Sequence, residues 1–204
     1  MDYYYHPMSP NCRKVSALLE ILGVEANYKF VDLAKGKHAT PTYLAINPNG
    51  MVPALLDGKK TVLESNCILI HLAEKTGSEL WSEAKRLEIL QWMFWEQSHF
   101  MYATGILFFQ KLLKPLLGKE TDEVRVDEAM AKFRRHAQAL DDHLKERDWL
   151  VGDAMSLADL AVAANLTYAE ATGMPMDEFP NVQRWYGTIE ELDAWKATHP
   201  ALAG

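Results

Sequence analysis

The sequence predicts an α/β domain followed by an all-α helical bundle domain. Within the first 77 residues, four short strand-like runs and two or more helical runs share a compact stretch of chain. From Ser78 onward glycine and proline become sparse and long helical periodicities take over. The charge changes with the pattern: residues 1–77 hold 8 Lys and Arg against 7 Asp and Glu, whereas residues 78–204 hold 13 against 21. The expected domains are therefore 1–77 and 83–204.

The elements follow in order. Tyr3 and Tyr5 alternate with Asp2 and Tyr4 in an aromatic run that favours a strand and stops at His6-Pro7. Ser9 suits a helix cap and Pro10 the first helical position; Cys12, Val15, Leu18, Leu19 and Leu22 recur at helical spacing until Gly23. A strand is expected over 27–33, with Tyr28 and Phe30 on one face. MVPALLD and TVLE read as a hairpin across Gly58-Lys59-Lys60. Ser65 then caps a helix carrying Ile68, Leu69, Leu72 and Ala73, with Cys67 expected in the core.

In the second half, residues 82–115 predict one long helix, with Leu87, Leu90, Phe94, Gln97 and Met101 on one stripe. Trp92, Trp95, His99 and Tyr102 fall on neighbouring stripes. A helix over about 121–147 opens at Thr121-Asp122-Glu123 and buries Met130, Phe133, Ala137, Leu140 and Leu144. Ser156-Leu157-Ala158-Asp159 has the spacing of a capping box, and a further helix begins near Asn181 after Pro180.

With 49% hydrophobic and 24% charged residues, the composition is that of ordinary globular chains. No apolar run approaches the roughly 18 residues of a membrane span, and MDYYYHP lacks the basic start of a signal peptide; a cytoplasmic protein without a membrane partner is expected. The net charge of −7 argues against nucleic acid as a partner. Cys12 and Cys67 have neither metal-ligand spacing nor a disulfide-scaffold pattern, and no metal site is expected.

Three features stand out chemically. Pro53 lies inside a strand-like run, which means either an edge strand or a cis peptide after Val52, whose backbone an extended peptide can then address. Glu64-Ser65 at a helix start reads as a capping serine beside a solvated acid, or as a seat for an α-amino acid end, with amides for its carboxylate and Glu64 for its ammonium. Lys35, Lys37 and His38 form either a solvated loop or a second carboxylate contact. Ser9 reads as a cap or as a hydroxyl donor to a thiolate held at the helix N-terminus.

The segments HPMSPNCRKV, NPNGMVPALLDG, LESNCILIHLAEKTG and SLADLAV, in that order, resemble those of cytosolic glutathione transferases over essentially the whole chain. The resemblance implies a thioredoxin-like first domain, glutathione as co-substrate and a homodimer. It is similar to the serine-type, theta- and phi-like members, which implies Ser9 as donor to the glutathione sulfur and Pro53 as the cis-proline. It further implies Val52 as the backbone contact of the cysteinyl part, Glu64 and Ser65 at the γ-glutamyl end, and His38 with Lys37 near the glycine carboxylate. Ala39 and Met51 depart from the lysine and glutamine common in phi-type members at these places, so Met51 would stand in that contact row.

S-P-N-C also resembles bacterial nu-type proteins, which reduce disulfides with glutathione and use the asparagine; this adds Asn11 as a catalytic candidate. The second substrate, a small hydrophobic electrophile or a disulfide, would lie near Met8, Pro10, Trp95, His99 and Tyr102. A non-catalytic binding module on the same fold is the alternative of another class.

Overall fold

The computed structural model describes residues 1–200. The chain forms two compact units: Met1–Ser82 with the segment beginning at Leu192, and Glu83–Glu191.

The first unit is built on a four-stranded sheet in the order β2-β1-β3-β4. Strand β1 (Asp2–Tyr5) runs parallel to β2 (Asn27–Phe30) and antiparallel to β3 (Ala54–Asp57), which pairs in turn with β4 (Lys60–Leu63). β2 ends before the expected Leu33: Asp32 accepts from the Lys35 amide at 3.0 Å and turns the chain. Helix α1 (Pro10–Leu22) connects β1 to β2 and ends in a left-handed Gly23. Fully buried Tyr3 ties strand to helix, its hydroxyl donating to the Cys12 carbonyl at 2.7 Å.

Pro53 sits just before β3, which is an internal strand, so the edge-strand reading fails. Its missing N–H falls outside the ladder, which begins at the Tyr4–Ala54 pair, and the Val52–Pro53 peptide is cis. Helix α3 (Ser65–Thr76) follows β4 and is fixed to the hairpin by Asp57, which accepts from His71 at 2.9 Å and from Lys75. The Lys75 ammonium, then His71, holds the Asp57 carboxyl below the usual carboxylate range.

Cys67 is exposed, against the expectation of a core position. The buried stripe of α3 runs through Ser65, Ile68, Leu69, Leu72 and Ala73, and Cys67 lies off it.

A short helix α2 (Pro41–Leu44) lies in the polar stretch before β3.

The second unit is helical. Helix α4 (Arg86–Trp95), α5 (Met101–Phe108) and α6 (Lys114–Leu116) make one continuous run, joined by π-helical turns at Glu96–Phe100 and Phe109–Leu113. Each wide turn shifts the phase of the side chains. The buried stripe is Ile89, Met93, Glu96, Phe100, Ala103 and Leu107, and Leu87 and Phe94 of the expected stripe are 80% and 67% exposed. Helix α7 (Glu123–Leu144) is capped by Asp122, which accepts from the Arg125 amide at 3.2 Å; it buries Phe133, Ala137, Leu140 and Leu144.

Helix α8 (Leu157–Ala163) opens with the expected capping box, and α9 (Ala169–Thr172) follows it. Asp141 of α7 accepts from the Asn181 and Val182 amides at 2.7 and 3.0 Å, capping α10 (Pro180–Glu190) from another element. In the first unit, α11 (Asp193–Ala197) packs on α1 through Arg13, whose guanidinium lies 4.1 Å over the Trp195 ring and donates to the Trp195 carbonyl at 3.1 Å. Among the described residues no helix is long and apolar enough to cross a membrane.

Candidate active site

Two helix N-termini meet in the first unit, and the residues at their starts define the site. At α1, Ser9 is the N-cap and its Oγ accepts from the Cys12 amide at 3.3 Å. That bond uses an oxygen lone pair, so the hydroxyl proton remains available for donation; the cap and the donor are one group. At α3, Glu64 occupies the cap position with φ 63°, the one non-glycine residue with positive φ among those described. Left-handed backbone costs a residue of this kind about 1–3 kcal/mol and clusters at functional sites. Glu64 caps no amide, and its side chain is exposed.

Ser65 is therefore not the expected cap. It is the first helical residue, 4% exposed, and its Oγ donates to Asn11 Oδ1 at 3.2 Å. One hydrogen bond thus brings together residues 54 apart in the chain, from the two starts expected to serve the two ends of one ligand. The first turn of α3 carries no side-chain cap, so its amides and the helix field face a place suited to an anion.

The turn leading to Pro53 is held rigidly. The Met51 carbonyl accepts from Tyr43 Oη and from Asn47 Nδ2, both at 2.7 Å, while the Met51 side chain is 67% exposed. Gly50 has φ 61°, and a Cβ there would lie 3.2 Å from the His38 carbonyl oxygen, so this position needs glycine. The contact sets the His38 segment against the Met51–Pro53 turn. His38 is half-buried with its Nδ1 buried and without a hydrogen-bond partner, and Lys37 beside it is exposed. Sequence reasoning missed Tyr43 and Asn47 as supports; the only signal was Asn47 in the turn-rich stretch INPNG.

Cys12 lies behind the Ser9 cap, buried, with the His6 amide 3.5 Å from its sulfur. Burial pushes its thiol up to about 11, outweighing the hydrogen bonds and the Lys14 charge that pull it down. It packs as a thiol and is not poised as a nucleophile.

Met8 and Pro10 flank Ser9, and each is partly exposed. Of the candidates on the second unit, Trp95 stacks on Phe100 at 5.2 Å and packs edge-on against Trp92. His99 is exposed and stacks on His136 at 5.4 Å; Tyr102 is 56% exposed beneath the Lys132 ammonium at 4.3 Å. Among the described residues no group of three or more His, Cys, Asp or Glu is arranged to hold a metal ion.

Comparison with known proteins agrees with the layout of the two units. Residues 1–74 match the model of the glutathione S-transferase N-terminal domain and residues 97–193 that of its C-terminal domain. Glutathione S-transferase 3 of Zea mays is 32% identical over 211 residues, covering 99% of this chain and 94% of that protein. A solved glutathione S-transferase-I bound with lactoylglutathione superposes with a TM-score of 0.89 at 28% identity, over 97% of both chains. A Pseudomonas putida glutathione transferase with one glutathione disulfide bound per subunit gives 0.88 at 26% identity, over 99% of this chain and 91% of that one. With a thioredoxin-like unit, a helical unit and a curated relative matched along nearly its whole length, this chain belongs to the glutathione S-transferase family.

Proposed function

We infer that this protein ionises the thiol of glutathione and directs the thiolate at a small hydrophobic electrophile. The observation that carries the reading is the Ser65–Asn11 bond, which joins the helix start bearing Ser9 to the helix start bearing Glu64. Ser9 donates its hydroxyl proton in a hydrogen bond to the glutathione sulfur and, with the field of α1, favours the thiolate. The thiol proton leaves to solvent, the sulfur forms a bond to the electrophilic carbon, and the leaving group departs with its electron pair.

The donor set suits the rest of glutathione. The uncapped amides of α3, that of Ser65 among them, take the γ-glutamyl carboxylate, while exposed Glu64 accepts from the ammonium. The Val52 backbone beside Pro53 and Met51 takes the cysteinyl part, and Lys37 with His38, whose Nδ1 has no partner, takes the glycine carboxylate. Met8 and Pro10, the partly exposed apolar groups that flank Ser9, are assigned to the acceptor side of the sulfur. Leu87, Phe94 and Met51 leave large apolar side chains in water in the single chain, which supports a homodimer. A cytoplasmic location accords with the chemistry, because glutathione is abundant and reduced there.

A second reading keeps the site and changes the reaction. Asn11 stands at the junction of the two starts, and the Pseudomonas putida relative holds glutathione disulfide. A glutathione thiolate would attack one sulfur of a small disulfide and expel the other as thiolate. A second glutathione would then resolve the mixed disulfide, leaving glutathione disulfide and the reduced thiol.

Steady-state turnover of an aryl halide with glutathione, falling about 100-fold in Ser9→Ala, is expected for conjugation. Turnover of a small disulfide instead, unaffected by Cys12→Ser, would favour the second reading; no binding of glutathione by folded protein would end both.

A further inference from the structure

We propose that Lys14 is a positioning residue for the glutathione site, acting through Asn66 to hold the first turn of α3 against the first turn of α1. The inference rests on the glutathione reading above. Lys14 has no exposed surface, which is rare for lysine, since an ammonium loses its hydration on burial and must be bonded in return. Among its interactions, Nζ donates to Asn66 Oδ1 at 2.8 Å. Asn66 is the second residue of α3 and follows Ser65, whose hydroxyl is bonded to Asn11.

Asn11 and Lys14 are three residues apart on α1, so they stand on one face of that helix. That face grips two consecutive residues of α3, one through a neutral bond and one through a charged bond. The Ser9 hydroxyl and the Ser65–Glu64 turn are thereby set at one spacing, before any ligand arrives.

The sign of the charge carries the argument further. Both helix N-termini already present partial positive charge, and a cation beside them is opposed by both fields. Anions at those two helix starts, here a thiolate and a carboxylate, would be attracted by that cation as well as by the two helix fields. The buried Cys12 thiol reports the same field, since the Lys14 charge is among the influences that pull it down.

The test is binding of S-methylglutathione, followed by titration calorimetry on the full chain, together with KM for glutathione and for an aryl halide. Lys14→Met and Asn66→Ala are each expected to weaken S-methylglutathione binding about tenfold, with the aryl halide KM unchanged. Lys14→Arg should recover most of the loss, and the double variant should bind no more weakly than the weaker single one. A filler role alone would lower thermal stability and leave these binding constants alone.

If Lys14→Met does not fold, Asn66→Ala, which keeps the cation, carries the test. Parental affinity in folded Asn66→Ala, or losses that multiply in the double variant, would overturn the proposal while leaving the glutathione reading in place. If the parent itself does not bind S-methylglutathione, both fall.

Discussion

The start of α8 and the starts of α1 and α3 use the same residue types and reach opposite ends. At α8 every polar group is consumed internally: Asp159 accepts from the Ser156 amide and hydroxyl at 2.8 and 2.9 Å, from the Leu150 amide at 2.9 Å and from Trp185 Nε1 at 3.0 Å. The side chain is wholly buried, and burial raises its pKa against four donors that lower it. At α1 the serine spends an acceptor on the backbone and retains its proton; at α3 the acid at the cap position spends nothing on the helix at all. A helix start whose donors and acceptors close on themselves is architecture, whereas one left with unused capacity and a helix field can serve a ligand.

The largest expected effect tests the closed start. Asp159→Ala strips the acceptor from four buried donors and should cost about 3–5 kcal/mol in chemical denaturation, with kcat/KM per folded molecule within twofold of the parent. A comparable loss of activity per folded molecule would erase the contrast.

A second prediction asks whether the open start of α1 serves its own thiol or an external one. Cys12 is displaced upward, from 9.0 to about 11, by burial. A folded-state pKa above the unfolded one means that ionisation opposes folding, so stability present below pH 9 should be lost as pH rises toward 11. The loss should reach about 2–3 kcal/mol and vanish in Cys12→Ala. At pH 8, iodoacetamide should label exposed Cys67 and spare Cys12, as mass spectrometry of the intact protein would read. Rapid alkylation of Cys12 would mean that the helix field acts on the protein's own sulfur.

The smallest effect belongs to the open start of α3. Glu64→Gln removes one charge from an exposed side chain and should raise KM for glutathione about tenfold, with little change in stability. An unchanged KM would remove Glu64 from the site.

What was legible in the sequence followed from local spacing. Ser156 and Asp159, three residues apart, specify their capping box completely, and Ser9-Pro10 specifies the beginning of α1. The four strands and the longer helices were readable because their signals are periodic, whereas the short α2, α9 and α11, of four or five residues each, were not. The failures were of two kinds. Phase was misjudged within single helices: on α4 Leu87 and Phe94 were expected inside, although the buried positions are Ile89 and Met93. On α3, Cys67 was expected inside although the buried stripe passes through Ile68 and Leu69.

The second kind was long-range pairing. Nothing in a single sequence joins Asn11 to Ser65, Lys14 to Asn66, or Arg13 to Trp195, because each partner is an ordinary polar or aromatic residue in its own neighbourhood. The family resemblance supplied candidates at both starts; the bond between them was visible only in three dimensions.

Whether the Ser9 hydroxyl beside the α1 N-terminus stabilises a bound thiolate is decided by titrating glutathione on the enzyme. The ultraviolet thiolate band of the bound ligand would be followed against pH in the parent and in Ser9→Ala. The parent should lower the thiol pKa below its free value, and Ser9→Ala should raise it again by about 1–2 units, at unchanged glutathione occupancy. Superimposable titrations in the two proteins would contradict that role of Ser9.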